Sequence, residues 1–173
     1  MGPCGLRTMK SDLTLVHKAK RLVTDLKSAG LTVITAESCT CGRLACLLSE
    51  GDGASEVLHG GFIAYTKQNK TSSLGVPREI LQVCGAVCEE VARAMATGAL
   101  ERTPADVSVA VTGVAGPPPD PDGNPVGLVH IAAARRGGGV LHRKADYGCQ
   151  KPELILEETM DEALDLLRQA AGL

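Results

Sequence analysis

The sequence predicts an α/β fold, a three-layer α/β/α sandwich around a mixed β-sheet. Segments with apolar residues at helical spacing alternate with short β-branched runs, an order typical of helices that cover both faces of one sheet. The last two strand-like runs, residues 126–134 and 140–147, flank three consecutive glycines. Because a connection this short joins antiparallel strands, the sheet is not wholly parallel.

The first half of the chain contains two helices and two strands. Periodicity predicts a helix over residues 13–29, a strand over 31–36, a helix over about 42–50 and a strand over 57–65. Gly30 fits the C-terminal cap of the first helix. The second strand is interrupted by Gly60-Gly61, where we expect a bulge or a close backbone approach.

The second half adds three helices and three strands. Its helices are predicted to begin at Pro77, to span residues 87–101 and to begin again at Pro152, and its strands to include residues 107–111, 126–134 and 140–147. Five of the nine prolines fall within residues 117–125, which therefore form a surface loop.

Composition excludes several classes of partner. A chain of 173 residues suits one domain, which we place at residues 11–173 after a disordered leader over residues 1–10. Aromatic residues are 2% and the net charge is -2, so the chain lacks both the stacking platforms and the basic surface of nucleic-acid-binding proteins. It has no apolar run of membrane-spanning length and no signal-peptide pattern. We expect a cytoplasmic protein, and homo-oligomerisation is left open.

The cysteines and histidines do not predict a metal site. Seven cysteines is an odd number, which favours a reducing compartment over a disulfide framework. Neither Cys39-x-Cys41 nor Cys84-x-x-x-Cys88 has the C-x-x-C spacing of structural zinc sites, and the four histidines are scattered. We expect no metal and no cofactor.

Residues 35–42 form a polar turn between the first strand and the second helix. Unpaired N–H groups and the positive end of the helix dipole favour a developing negative charge at such a position. Ser38 is therefore a candidate nucleophile with an oxyanion site beside it. The alternative is that Ser38 or Thr40 is an N-cap, a position at which both residue types are preferred.

Three ordered motifs resemble the C-terminal domain of the competence/damage-inducible protein CinA. They are residues 35–40 with Gly42, residues 61–65 with Lys70, and residues 111–117 followed by 125–127. The resemblance extends from about residue 11 onward. The chain is similar to the standalone form of the family, which lacks the separate N-terminal domain of longer CinA proteins.

The resemblance implies an amidohydrolase that converts nicotinamide mononucleotide to nicotinic acid mononucleotide and ammonia in pyridine-nucleotide recycling. Ser38 would attack the amide, and N–H groups of residues 39–42 would receive the oxyanion. No histidine lies in the motifs, so Lys70, which matches the family's lysine, would be the base. Tyr65 would relay a proton or orient the substrate. Without the resemblance, Lys70 would be interpreted as a solvated charge.

The remaining site residues are assigned to substrate binding. They are Glu37, Cys39, Thr40, Gly42, Thr112, Gly113, Ala115, Gly116, Gln150 and Lys151. The glycines are expected to let the backbone approach the nucleotide. Cys39 is a rival nucleophile, although a buried structural thiol is favoured because the turn lacks a base. Glu37 either orients the turn or is a surface or capping carboxylate.

The chain departs from the family pattern at three places. Cys41 replaces a glycine and is expected to crowd the turn, and residues 118–123 are richer in proline and acid than usual. Gln150 stands where many family members carry an arginine, which is suited to binding phosphate. The affinity for a nucleotide is therefore expected to be lower, unless Lys151 takes the place of that arginine. These departures leave a second hypothesis open, in which the chain is a weak or inactive family member that binds nucleotides or proteins.

Overall fold

A computed structural model of the chain describes the backbone of residues 8–173 and the side chains from Leu13 onward. Residues 1–7 of the expected leader lie outside this part of the chain. The first helix begins at Thr8, five residues before the periodic pattern, so residues 8–10 are helical.

The described residues form seven helices and five strands. The helices are α1 (Thr8–Ser28), α2 (Arg43–Ser49), α3 (Ala54–Val57), α4 (Lys67–Leu74), α5 (Arg78–Val83), α6 (Glu89–Glu101) and α7 (Pro152–Ala171). The strands are β1 (Val33–Glu37), β2 (Leu58–Ile63), β3 (Val107–Gly113), β4 (Leu128–Arg135) and β5 (Val140–Asp146).

Most differences from the predicted elements lie at their ends. The sequence pattern did not predict α3, a single turn that delays the second strand to Leu58. Helix α6 begins two residues later than predicted because Cys88 is extended and forms the N-cap. Helix α4 begins after Thr66, whose side chain accepts a hydrogen bond from the N–H of Asn69.

The sheet is mixed, as predicted. Its order is β2-β1-β3-β4-β5. Strand β1 pairs in parallel with β2 and β3, whereas β3, β4 and β5 pair antiparallel. The three parallel strands need crossover helices, whereas β4 and β5 are joined by a short turn.

Each face of the sheet is covered by helices and has its own apolar core. On one face, Leu22, Leu48 and Leu164, from α1, α2 and α7, belong to the core that includes Val109 of β3. On the other face, Met95 of α6 belongs to the second core with other residues of α4–α6. This arrangement confirms the predicted α/β/α sandwich. None of the described helices has the length and apolarity required to cross a bilayer.

Small residues set the distance between the helices and the sheet. A Cβ on Gly61 would lie 3.3 Å from the Cβ of Ala45, so α2 lies directly on β2. The pairing of β1 with β2 shifts register between Val33 and Ile34. The expected close approach is therefore present at Gly61, whereas the irregularity lies one residue before the glycines, at His59.

The carboxyl ends of β2, β1 and β3 lie at one edge of the sheet because these strands are parallel. The connection from β1 to β2 runs through α2 and α3 on one face, and the connection from β2 to β3 runs through α4, α5 and α6 on the other. The direction of winding therefore changes between β1 and β3. Ligands of open α/β sheets bind in the crevice at such a point.

Candidate active site

A cleft of about 770 Å³ opens at this point of the sheet. Its lining includes Ser38 after β1, Tyr65 after β2, and residues 112–122 from the end of β3 and the loop that follows. The volume is within the range of about 300–1,000 Å³ that is typical of small-molecule sites. The cleft therefore brings together residues from all three of the motifs that the sequence analysis identified.

Ser38 and Lys70 are in direct contact. The Nζ atom of Lys70 lies 2.7 Å from the Oγ of Ser38 and also donates to the carbonyl of Ala64 at 2.8 Å. The backbone N–H of Ser38 donates to the carbonyl of Val111, which fixes the turn to β3. Lys70 thus lies beneath Ser38, which faces the cleft.

Lys70 is the largest of the fully buried side chains, with no solvent exposure. Burial lowers the pKa of its amine from 10.5 to about 8. No carboxylate is within ion-pair distance of this amine among the described residues. With that pKa the amine is mostly protonated at pH 7, and the neutral fraction that can accept the proton of Ser38 grows as the pH rises through 8. The solvated-charge interpretation of Lys70 is wrong.

Glu37 is fully buried and acts as the cap of α2. One carboxylate oxygen accepts from the N–H groups of Gly42 (2.9 Å) and Leu44 (3.1 Å), and the other from the N–H of Ala45 (2.8 Å) and the hydroxyl of Thr35 (3.1 Å). The substrate-binding role predicted for Glu37 is not supported, because the helix occupies its acceptors. Neither Ser38 nor Thr40 caps this helix.

The hydrogen bonds of Glu37 also change the expected oxyanion site. The N–H of Gly42 is occupied by Glu37, and the N–H of Cys41 donates to the carbonyl of Ser38 at 3.1 Å. The N–H groups of Cys39 and Thr40 instead lie beside the sulfur of Cys39. Gly42 and Cys41 are therefore excluded as oxyanion donors, and of the other two residues Cys39 belongs to the lining of the cleft whereas Thr40 is fully buried and does not.

Cys39 has the properties of a structural thiol. Burial raises its pKa to about 12, against a smaller opposing effect of the charge on Lys70. The thiol is thus protonated wherever Lys70 is able to act as a base. Thr40 is fully buried, and its hydroxyl has no hydrogen-bond partner among the described residues.

The segment after β3 forms one wall of the cleft, but its glycines have structural roles. A Cβ on Gly113 would lie 2.8 Å from the carbonyl oxygen of Leu128 on β4, and one on Gly116 would lie 3.2 Å from Pro152. Close packing of protein backbone therefore requires a small residue at Gly113. Thr112 is buried and donates to the carbonyl of Ala86 at 2.7 Å. Ala115 lines the cleft, as do these three residues.

Tyr65 lies at the rim of the cleft and is 66% exposed. The hydrogen bonds of Lys70 go to Ser38 and Ala64, not to Tyr65. A direct proton relay through Tyr65 is therefore not present in this structure. Its position is suited to contact with a bound substrate.

Gln150 and Lys151 lie outside the lining of the cleft. The amide of Gln150 donates to the carbonyl of Tyr147 at 2.7 Å, in the connection between β5 and α7. Lys151 is the N-cap residue of α7, whose Pro152 packs near Gly116. The prediction that both residues contact substrate is therefore not supported by their positions.

Sequence reasoning missed an ion pair at the cleft. Lys67 of α4 donates to Asp122 at 2.6 Å, and the other oxygen of Asp122 accepts from the N–H of Ala86 at 3.0 Å. All three residues belong to the lining. The acidic residues within 118–123 were the available signal in the sequence. One of them, Asp122, connects this loop to Lys67 and Ala86 on the opposite wall of the cleft.

Cys41 does not crowd the turn, contrary to expectation. Its side chain is exposed. Its φ of 50° is in the left-handed region, which is unfavourable for residues other than glycine. The departure from glycine therefore affects the backbone energy of the turn and does not fill space in the cleft.

Comparison with known proteins supports the family resemblance that was inferred from the motifs. Residues 16–171 match the CinA C-terminal domain. A CinA-like protein of Mycolicibacterium gilvum is 42% identical over 142 residues, which cover 82% of this chain and 33% of the relative. The chain spans about a third of the length of the first curated relatives that it matches.

Solved structures share the fold over most of the chain. The competence/damage inducible protein CihA of Agrobacterium tumefaciens is 43% identical, with a TM-score of 0.87 over 92% of this chain and 96% of the other. A competence-damaged protein (CinA) superfamily protein of Escherichia coli is 35% identical, with a TM-score of 0.84 over 90% of this chain and 89% of the other.

Proposed function

The chain belongs to the CinA C-terminal domain family, and we propose that it is an amidohydrolase that deamidates nicotinamide mononucleotide. The observation that carries this proposal is the 2.7 Å contact between the Ser38 hydroxyl and a fully buried Lys70 amine. Amide hydrolysis needs an activated nucleophile, and a desolvated lysine supplies the base. The cytoplasm, where the free cysteines would stay reduced, is the proposed location.

In the proposed mechanism, neutral Lys70 takes the proton of Ser38 while Oγ attacks the carboxamide carbon of the substrate. The N–H group of Cys39, the residue of the turn beside Ser38 that lines the cleft, stabilises the oxyanion of the tetrahedral intermediate. Its collapse returns the proton to the leaving nitrogen and releases ammonia, which leaves a nicotinoyl ester on Ser38. Water, deprotonated by Lys70, then hydrolyses the ester and restores both side chains.

The rest of the cleft is suited to the ribose and phosphate, with Lys67 as the proposed phosphate contact. Lys67 is the cationic side chain of the described lining, and it is paired with Asp122. A phosphate would have to compete with Asp122 for this ammonium. We therefore expect weak binding of the mononucleotide and a modest preference over the riboside that lacks the phosphate.

Ammonia release from nicotinamide mononucleotide tests the proposal directly. The parent should release one ammonia per nicotinic acid mononucleotide formed, and Ser38→Ala should reduce turnover by at least a factor of about 10³ while its thermal melting stays close to that of the parent. Ser49→Ala is the matched control, because Ser49 lies at the exposed end of α2 and its hydroxyl bonds to a carbonyl of the same helix.

Two other outcomes would contradict the proposal. Undiminished turnover in Ser38→Ala would exclude Ser38 as the nucleophile and lead to Cys39. Binding of the mononucleotide without ammonia release, measured by calorimetry on the parent, would favour a non-catalytic nucleotide-binding module.

A further inference from the structure

A cluster of two thiols and a carboxylate lies outside the Ser38–Lys70 pair. The sulfur atoms of Cys84 and Cys88 and a carboxylate oxygen of Glu90 all lie within 4.8 Å of one another. Within residues 13–173, no other group of three cysteine, histidine or acidic side chains brings its ligand atoms this close. The cluster is solvent-accessible, since Cys84 and Glu90 are exposed and Cys88 is half-buried.

Two helix ends hold the cluster together. Cys84 is the C-cap residue of α5 and Cys88 is the N-cap residue of α6, while Glu90 lies in the first turn of α6. Gly85, with a φ of 76°, reverses the chain between the two cysteines. The three ligand positions are thus set by two helix ends and the short turn between them, which lowers the entropy lost when an ion binds.

We propose that Cys84, Cys88 and Glu90 bind a zinc ion. Two thiolates and one carboxylate are ligands that Zn²⁺ accepts, and three protein ligands leave the fourth tetrahedral position for water. Small changes of the exposed side chains would bring the ligand atoms to the separations of a tetrahedral site. The N-terminus of α6 would further stabilise the negative charge of the ligands.

The C-x-x-x-C spacing did not suggest this site, because structural zinc sites are recognised from paired C-x-x-C motifs. Glu90 becomes a third ligand only through the geometry of the α5–α6 turn. A zinc ion at this turn would contradict the expectation from the sequence that the chain holds no metal.

An ion at this site would fix one wall of the cleft. Ala86 and Val87, between the two cysteines, are part of the lining. The carbonyl of Ala86 accepts from Thr112 at 2.7 Å, and its N–H donates to Asp122 at 3.0 Å. Zinc would therefore hold both ends of a segment whose middle already bonds to two other parts of the cleft.

Zinc titration of the reduced, metal-stripped chain against a chromophoric chelator tests the proposal without reference to activity. We expect one zinc ion per parent chain. Cys84→Ser and Cys88→Ser should abolish this binding, and Glu90→Gln should weaken it at least tenfold. Cys46→Ser is the matched control, because Cys46 is an exposed cysteine of α2, and should bind as the parent does.

A second measurement does not depend on the folding of the variants. Zinc added to the parent should protect Cys84 and Cys88 from alkylation and leave Cys46 reactive, as seen by mass spectrometry of the peptides. Cobalt in place of zinc should give a thiolate-to-metal charge-transfer band. No zinc bound by the reduced parent, or equal protection of Cys46, would overturn the proposal.

Discussion

Replacing Lys70 by Met keeps a long side chain but removes the amine that lies 2.7 Å from Ser38. We expect two effects with one cause. Turnover should fall by a factor of about 10²–10⁴, the usual contribution of a positioned general base. The pH dependence of stability should also change, because Lys70 loses its proton more readily in the folded chain than in the unfolded chain.

The magnitude follows from burial, which lowers the pKa of Lys70 from 10.5 to about 8. Between these values the unfolded chain binds more protons than the folded chain, so the free energy of unfolding rises with pH. The gap between the two pKa values corresponds to about 3 kcal/mol. Below pH 8 the folded chain carries the full cost of a buried ammonium, and above pH 10.5 the cost is absent.

The assay is urea unfolding of the parent and of Lys70→Met at intervals from pH 7 to pH 10. Other groups titrate equally in both proteins, so the difference between the two unfolding free energies isolates Lys70. This difference should shift by about 2–3 kcal/mol in favour of the parent as pH rises. Lys20→Met, which changes an exposed lysine of α1, should show no such shift.

Turnover of the parent should rise with pH and level off above about 8, as the same amine deprotonates. A flat difference in stability between pH 7 and pH 10 would mean that Lys70 ionises normally and is not a desolvated base. Turnover that persists in Lys70→Met would refute its role even if the stability shift were found.

Three further changes test the packing around the site by urea unfolding. Glu37→Gln removes the charge that accepts three backbone N–H groups and should lower the free energy of unfolding by about 2–4 kcal/mol; an unchanged value would mean that α2 does not depend on this cap. Gly113→Ala should lower it by about 1–3 kcal/mol because the new Cβ would lie 2.8 Å from the carbonyl oxygen of Leu128, whereas Gly139→Ala, with no atom within 4 Å, should stay within about 0.5 kcal/mol of the parent. Cys41→Gly should raise it by about 0.5–1 kcal/mol by relieving a φ of 50°, and a decrease would show that the turn is not strained there.

The sequence by itself determined the layers of the fold and the candidate residues of the site. Apolar spacing along each segment records which face is buried, so the five strands and five of the seven helices were found within a few residues of their ends, whereas the short helices α3 and α4 were not predicted. The glycines at 137–139 required an antiparallel hairpin, and β4 and β5 form one. The turn after β1 made Ser38 a candidate nucleophile, whereas Lys70 was singled out by the resemblance to the CinA family, because residue type alone would have assigned it to a solvated charge.

Only the tertiary structure decided where these groups lie and which groups they contact. The contact of Ser38 with Lys70 spans 32 positions and depends on the parallel pairing of β1 with β2, which no local pattern records. The same long-range packing buries Lys70 and lowers its pKa. It also points the carboxylate of Glu37 toward the N–H groups at the start of α2 and places Gln150 outside the cleft. Periodicity reports which face of its own element a residue lies on. The partners of a buried polar group are instead set by which strands lie side by side in the sheet.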